Sequence, residues 1–129
     1  MTDASQASGR GWVAVALWLA LQVLLTSLPG RAIPIGLPHP LDWAGHFCLF
    51  GGLGVLVGRA AALHRWPLRR LVWLGVLLTA WAALDEVHQH FIPGRDAEVS
   101  DWLSDTLGAA LGLFVGTRLM SSRLARWLR

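Results

Sequence analysis

The chain has 129 residues, enough for one domain. It is 54% hydrophobic and only 15% charged, with eight Trp and no Tyr, whereas water-soluble domains carry about a quarter charged residues. The net charge of +3 comes from arginines set in short segments between apolar runs, which points to a membrane surface and gives nucleic-acid binding no support.

Four apolar stretches run roughly from Trp12 to Leu28, Trp43 to Leu63, Leu71 to Phe91 and Trp102 to Met120. A helix needs about 20 residues to cross about 30 Å of hydrocarbon, so each stretch predicts one span. The first is the shortest and carries no charge. Arg10 before it and Ala32 after it are compatible with a cleaved signal peptide. The run is long for one, however, and Leu28-Pro29-Gly30-Arg31 is a poor small-residue cleavage site, so it is read as a retained helix. Pro29, Gly30, Pro34, Gly36, Pro38 and Pro40 interrupt helix before the second stretch. Pro67, among arginines, separates the second and third, and Pro93-Gly94 follows the third. The fold class read from this pattern is all-α, an integral membrane bundle of four transmembrane helices. A polar tail over residues 1–10 precedes the membrane domain at 11–121, and a basic tail follows at 122–129. Cys48 has no partner cysteine and is expected to be a small buried helix residue.

Arginine placement predicts orientation, since the chain has no lysine. With four spans, both termini and the middle loop share one side. That side holds Arg10, Arg59, Arg65, Arg69, Arg70, Arg118, Arg123, Arg126 and Arg129, against Arg31 and Arg95 on the other. Arginine-rich segments stay cytoplasmic, so both termini are expected inside and the loops near residues 29–41 and 92–101 outside. Trp12, Trp43, Trp66, Trp102 and Trp127 fall near span ends, where an amphipathic ring belongs.

This orientation sorts the acids. Asp42, Asp85, Glu86, Asp96, Glu98, Asp101 and Asp105 all fall outward, as do His39, His46, His88 and His90; only Asp3 and His64 do not. Helical spacing sharpens the pattern, because residues three or four apart share a face. Asp42 pairs with His46, Asp85 with His88 and Gln89, Glu86 with His90, and Asp101 with Asp105. If the third helix enters at Leu71, Asp85 lies about 21 Å along it, and so about 8–10 Å beneath the outer edge of the hydrocarbon. An ionisable group at that depth must face the bundle interior, water or a partner.

Plainer roles stand beside these. Asp42 and Asp101 open helices and suit capping of free amides. Asp96, Glu98 and His39 read as loop residues, and His64 as a headgroup contact. Asp85, Glu86 and Asp105 could simply tie helices together. Gly54 and Gly58 on the second helix, and Gly108, Gly112 and Gly116 on the fourth, form small-xxx-small faces for close helix packing, within the chain or as a homo-oligomer seam.

The segment Asp85-Glu86-Val87-His88-Gln89-His90-Phe91-Ile92-Pro93-Gly94-Arg95, followed by Ser100-Asp101, Asp105, Gly108 and Gly112, resembles the VanZ-like family of small bacterial membrane proteins. Asp42 and His46 are similar to its upstream element, and the likeness covers roughly residues 40–116. Trp43 stands where many relatives have Lys, and Asp105 where many have Asn. The resemblance implies a multi-pass protein of the bacterial cytoplasmic (inner) membrane. The family is named for a teicoplanin-resistance accessory protein, which implies a cell-envelope connection. It also implies Asp42, His46, Asp85, Glu86, Gln89, Arg95, Asp101 and Asp105 as the site.

The first functional expectation is binding or processing of a membrane lipid or glycolipid headgroup. Arg95 would hold a phosphate, with Asp42, Gln89, Asp101 and Asp105 as further substrate-binding residues. A divalent cation would sit on Asp85, Glu86, Asp101 and Asp105: oxygen ligands suit Mg²⁺, Ca²⁺ or Mn²⁺, and His46 would allow Zn²⁺. In an enzymatic version Asp85 or Glu86 is the general base and His46 the general acid. The second expectation is a non-catalytic interaction or structural protein. The third is a small proton-coupled transporter, for which the acids would relay protons.

Overall fold

The computed structural model describes the backbone of residues 2–30 and 39–127, and the side chains of residues 9–30 and 40–120. The side chains of Arg31, His39, Arg123, Arg126, Trp127 and Arg129, named above, lie outside the described ones. Four helices follow in order: α1 (Thr2–Thr26), α2 (His39–Leu63), α3 (Leu68–His90) and α4 (Val99–Trp127). Two helices outrun the apolar stretches. Helix α1 starts at Thr2, inside the segment read as a polar tail, and α4 continues to Trp127 across the basic one. Pro40 belongs to the first turn of α2, where its missing N–H costs no hydrogen bond.

Three helices are long and apolar enough to cross a membrane, at Gly9–Thr26, Pro40–Leu63 and Leu68–His90. Helix α4 has the length, but Asp101, Asp105 and Arg118 lower its hydropathy. Only 17% of the α1 span and 22% of the α3 span are buried within the chain, against 44% of α2, so α2 is the central helix. The exposed side chains include Leu17, Leu24, Val72, Leu77, Leu84 and Phe114. In water such a surface would drive aggregation, whereas in lipid it is the solvated face. Cys48 belongs to this surface: it is exposed, not buried as the sequence suggested, because α2 turns its glycine side inward and leaves Cys48 outside.

Helices α2 and α4 run parallel along a seam of glycines. A methyl group at Gly108 would strike the Phe47 carbonyl, one at Gly112 the Gly51 carbonyl, and one at Gly116 the Val55 carbonyl. From the other side, Gly54 faces the Ala109 carbonyl and Gly58 the Leu113 carbonyl. The two glycine faces therefore meet each other, with the backbones too close to admit any Cβ. Helix α1 packs on α2 by laying Trp18 over Gly52, and the Trp18 indole N–H donates to the Leu49 carbonyl at 2.9 Å. Helix α3 joins α4 where the Trp102 indole donates to the Thr79 carbonyl at 3.2 Å. Val15, Phe50, Leu53, Val57, Leu78 and Leu113 fill the space between.

The two ends of the bundle differ. At one end Trp12 donates to His64 at 3.1 Å, Trp66 packs on both rings, and the Arg70 guanidinium lies 5.5 Å over Trp66. This is an aromatic and basic rim of the kind found at membrane interfaces. The buried acids lie at the opposite end.

Candidate functional site

The α3–α4 connection shapes the acidic end. Phe91 N–H donates to the His88 carbonyl at 3.0 Å and Ile92 N–H to the Gln89 carbonyl at 2.9 Å, closing α3 before Pro93. Gly94 takes φ 77°, a left-handed conformation that glycine adopts without strain. Gly30 N–H donates to the Pro93 carbonyl at 3.0 Å, pinning the end of α1 to this turn. Arg95 is thereby carried back to the mouth of the bundle.

Beneath it, the acids divide into two groups. Asp85 is occupied on both oxygens: Thr26 Oγ1 donates to Oδ1 at 2.8 Å, and Gln89 Nε2 donates to Oδ2 at 3.0 Å. This buried trio ties α1 to α3. The second group centres on His46, which α2 presents one step before the glycine seam. Its Nδ1 stands 3.0 Å from Asp105 Oδ1, and its Nε2 stands 3.9 Å from Asp101 Oδ2. Glu86 Oε2 accepts the Glu98 N–H at 3.0 Å.

His46 belongs to two overlapping triads, Asp42–His46–Asp101 and His46–Glu86–Asp105. In each, one ligand atom per residue lies within 4.8 Å of the others. The cation set expected from the sequence, Asp85, Glu86, Asp101 and Asp105, is therefore redistributed. Asp85 is in neither triad because its hydrogen bonds turn it toward α1, and His46 is in both.

Several buried polar atoms have no partner: Glu86 Oε1, Asp101 Oδ1, Asp105 Oδ2 and Arg95 Nε. Leaving such atoms unpaired costs about 1–3 kcal/mol each, and more when charged. Asp101 stands in the first turn of α4, just ahead of its apolar run. It caps no amide among the described residues. A cleft of about 280 Å³ opens beside the cluster, lined by Thr26, Asp42, Gly45, His46 and Arg95 together with leucines of α1 and α2. Among the described residues the ion pairs are those of His46 with Asp101 and Asp105, so Arg95 has no carboxylate partner there.

Other acids and histidines stay outside this group. Asp96 and Glu98 are exposed, and Glu98 accepts from Ser100 Oγ at 3.1 Å. His88 meets Ser27 Oγ at 2.9 Å on the exposed rim, and His90 packs edge-on to Phe91. Sequence reasoning missed Thr26, which reaches Asp85, and Gln22, one helical turn earlier and fully buried with both amide atoms unpartnered. The signal was present: the two polar residues stand four apart in a stretch otherwise apolar but for Ser27, and so share one face.

The chain is thus a helical membrane protein with a buried acid–histidine cluster at one end of its bundle, beside an arginine that pairs with no described carboxylate. It belongs to the VanZ/LLP1 family, whose model matches residues 9–120. No curated protein and no solved structure matches it.

Proposed function

We propose that this protein holds a phosphate-bearing lipid or glycolipid headgroup at the outer face of the bacterial cytoplasmic membrane, with a divalent cation beside it. The observation that carries this reading is Arg95. Arg95 lines the cleft with Asp42 and His46, its Nε is buried without a partner, and no described carboxylate pairs with it. A phosphate would satisfy the fork of donors through charge-assisted hydrogen bonds. The arginine bias supports an orientation with both termini inside and this cleft outside. Helix α4 is read as a fourth span because its glycines follow those of α2, itself a candidate span, from Gly108 to Gly116.

If the headgroup is processed as well as bound, Glu86 is the base. Glu86 keeps Oε1 free, whereas both Asp85 oxygens are bonded. A purely structural role accounts for the Asp85–Thr26–Gln89 trio but not for the unpartnered oxygens around His46. A proton-coupled carrier lacks acids in the inner half of its spans. The envelope setting, and a link to glycopeptide (teicoplanin-type) resistance, are carried by the family name alone.

Native mass spectrometry of the detergent-purified protein tests the reading, comparing an anionic phospholipid with a glycolipid that lacks phosphate. The wild type retains the phospholipid preferentially, and Arg95→Gln weakens retention at least about tenfold, the scale of one charged hydrogen-bonded contact. Equal retention by Arg95→Gln removes the proposal.

A further inference from the structure

The cluster around His46 is asymmetric, and the asymmetry selects one of the two triads. Nδ1 is committed to Asp105, a fully buried carboxylate 3.0 Å away. In the neutral ring, an Nδ1–H donated to Asp105 leaves the Nε2 lone pair on the side of Asp101, which shares a triad with Asp42 and His46. At 3.9 Å from Asp101 Oδ2, Nε2 is too far for a hydrogen bond. Two ligands each about 2.0–2.2 Å from one tetrahedral ion stand roughly 3.3–3.6 Å apart, so the observed spacing is near that of co-ligands. Independently, the Asp101 side chain is only 7% exposed and its Oδ1 has no partner. An apolar neighbourhood tolerates such an oxygen when a cation completes it.

From this we infer that His46 Nε2, Asp42 and Asp101 form a site for one divalent transition ion of the Zn²⁺ class, with Asp105 as the carboxylate that orients the imidazole. Donor chemistry sets the class: an imidazole with two carboxylates suits Zn²⁺ or Mn²⁺, whereas Mg²⁺ and Ca²⁺ prefer oxygen alone. A carboxylate on the far ring nitrogen is the usual outer partner of a metal-bound histidine. The inner triad, His46–Glu86–Asp105, would instead use as a ligand the carboxylate that already bonds the His46 Nδ1. Three protein ligands leave a coordination position free, and Asp42, His46 and Arg95 line the same cleft. The vacant position therefore suits an oxygen of the phosphate that Arg95 holds. The inference rests on the headgroup reading for the ion's role, and names its ligands and class.

The experiment uses the full chain in micelles, stripped of metal and then titrated with Zn²⁺ and with Co²⁺ as a coloured substitute. We expect one Zn²⁺ retained per chain after dialysis, and a Co²⁺ visible spectrum of low coordination number. Asp42→Asn, at the half-buried edge of the cluster, should weaken binding at least about 100-fold. Asp105→Asn should weaken it by about 10–100-fold, as expected of an outer partner. Unchanged helicity and melting of the metal-free Asp42→Asn protein exclude misfolding as the cause. No retained Zn²⁺ and no Co²⁺ spectrum overturn the inference, as does a larger loss in Glu86→Gln than in Asp42→Asn. Phospholipid retention measured with and without chelator separates the two proposals. Arg95-dependent retention by a protein that binds no metal overturns this inference alone, and metal binding without phospholipid retention overturns the headgroup reading alone.

Discussion

His46 Nδ1 and Asp105 Oδ1 stand 3.0 Å apart although the residues lie 59 positions apart in the chain. The contact depends on the glycine seam immediately below it, where Gly108, three residues after Asp105, abuts the carbonyl of Phe47, the residue after His46. Helix packing and the acid–histidine pair therefore form one arrangement. The absence of side chains at five seam glycines brings the polar ends of two helices to hydrogen-bonding distance.

Gly112→Ala should consequently destabilise the bundle and loosen the His46–Asp105 pair together. Its Cβ would overlap the Gly51 carbonyl, and backbone cannot swing aside as a flexible side chain can. A loss of about 1–3 kcal/mol is expected for such overpacking. Gly75→Ala is the matched control, because its Cβ would meet only Leu113 Cδ2 at an ordinary 3.9 Å. It should be neutral or stabilising by up to about 1 kcal/mol, from helix propensity. Thermal unfolding in micelles reads both, and equal effects would contradict the seam.

Thr26→Val should destabilise by about 1–3 kcal/mol, the cost of leaving a buried acceptor unsatisfied. The shape is kept while the 2.8 Å bond to Asp85 is lost. Gln89→Leu removes the other bond to the same carboxylate, at 3.0 Å. Because both act on Asp85, their costs should be non-additive in a double-mutant cycle. Strict additivity would mean that the trio does not act as a unit.

Gln22→Leu should raise stability. Gln22 is completely buried and neither amide atom has a partner, so an apolar side chain of similar size relieves a penalty of about 1–3 kcal/mol. A lower melting temperature would show instead that the amide is hydrogen-bonded within the membrane.

Orientation is open to cysteine labelling after Cys48, which is exposed, is replaced by alanine. A cysteine at the exposed Ala97, on the α3–α4 loop, should react with an impermeant maleimide on intact cells. One at Arg69, near the start of α3, should react only after permeabilisation. The reverse pattern would place the cleft inside and contradict the proposed orientation.

The helices were legible because apolar run length is a direct signature of a span, and prolines and Pro93-Gly94 mark the breaks. The α2–α4 seam was half legible. The glycine spacing announced two close-packing faces, but only the three-dimensional register shows that they meet each other. The site was legible as a set of residues and not as a set of partners. Asp85 and Glu86 are adjacent in sequence, so a helix turn of about 100° sends them to different neighbours: Asp85 to Thr26, Glu86 to the Glu98 amide. Thr26 and Gln22 escaped notice because two uncharged polar residues scarcely alter the hydropathy of a span. The end of α4 ran past expectation because arginine, leucine and alanine in the basic tail favour helix as readily as the apolar residues before them.

The most direct measurement is an experimental structure of the protein purified with its native lipid retained. An anionic headgroup is expected in the cleft between α1 and α2, its phosphate oxygens within hydrogen-bonding distance of the Arg95 guanidinium. Lipid confined to the apolar belt, with Arg95 turned onto a carboxylate of its own chain, would contradict it.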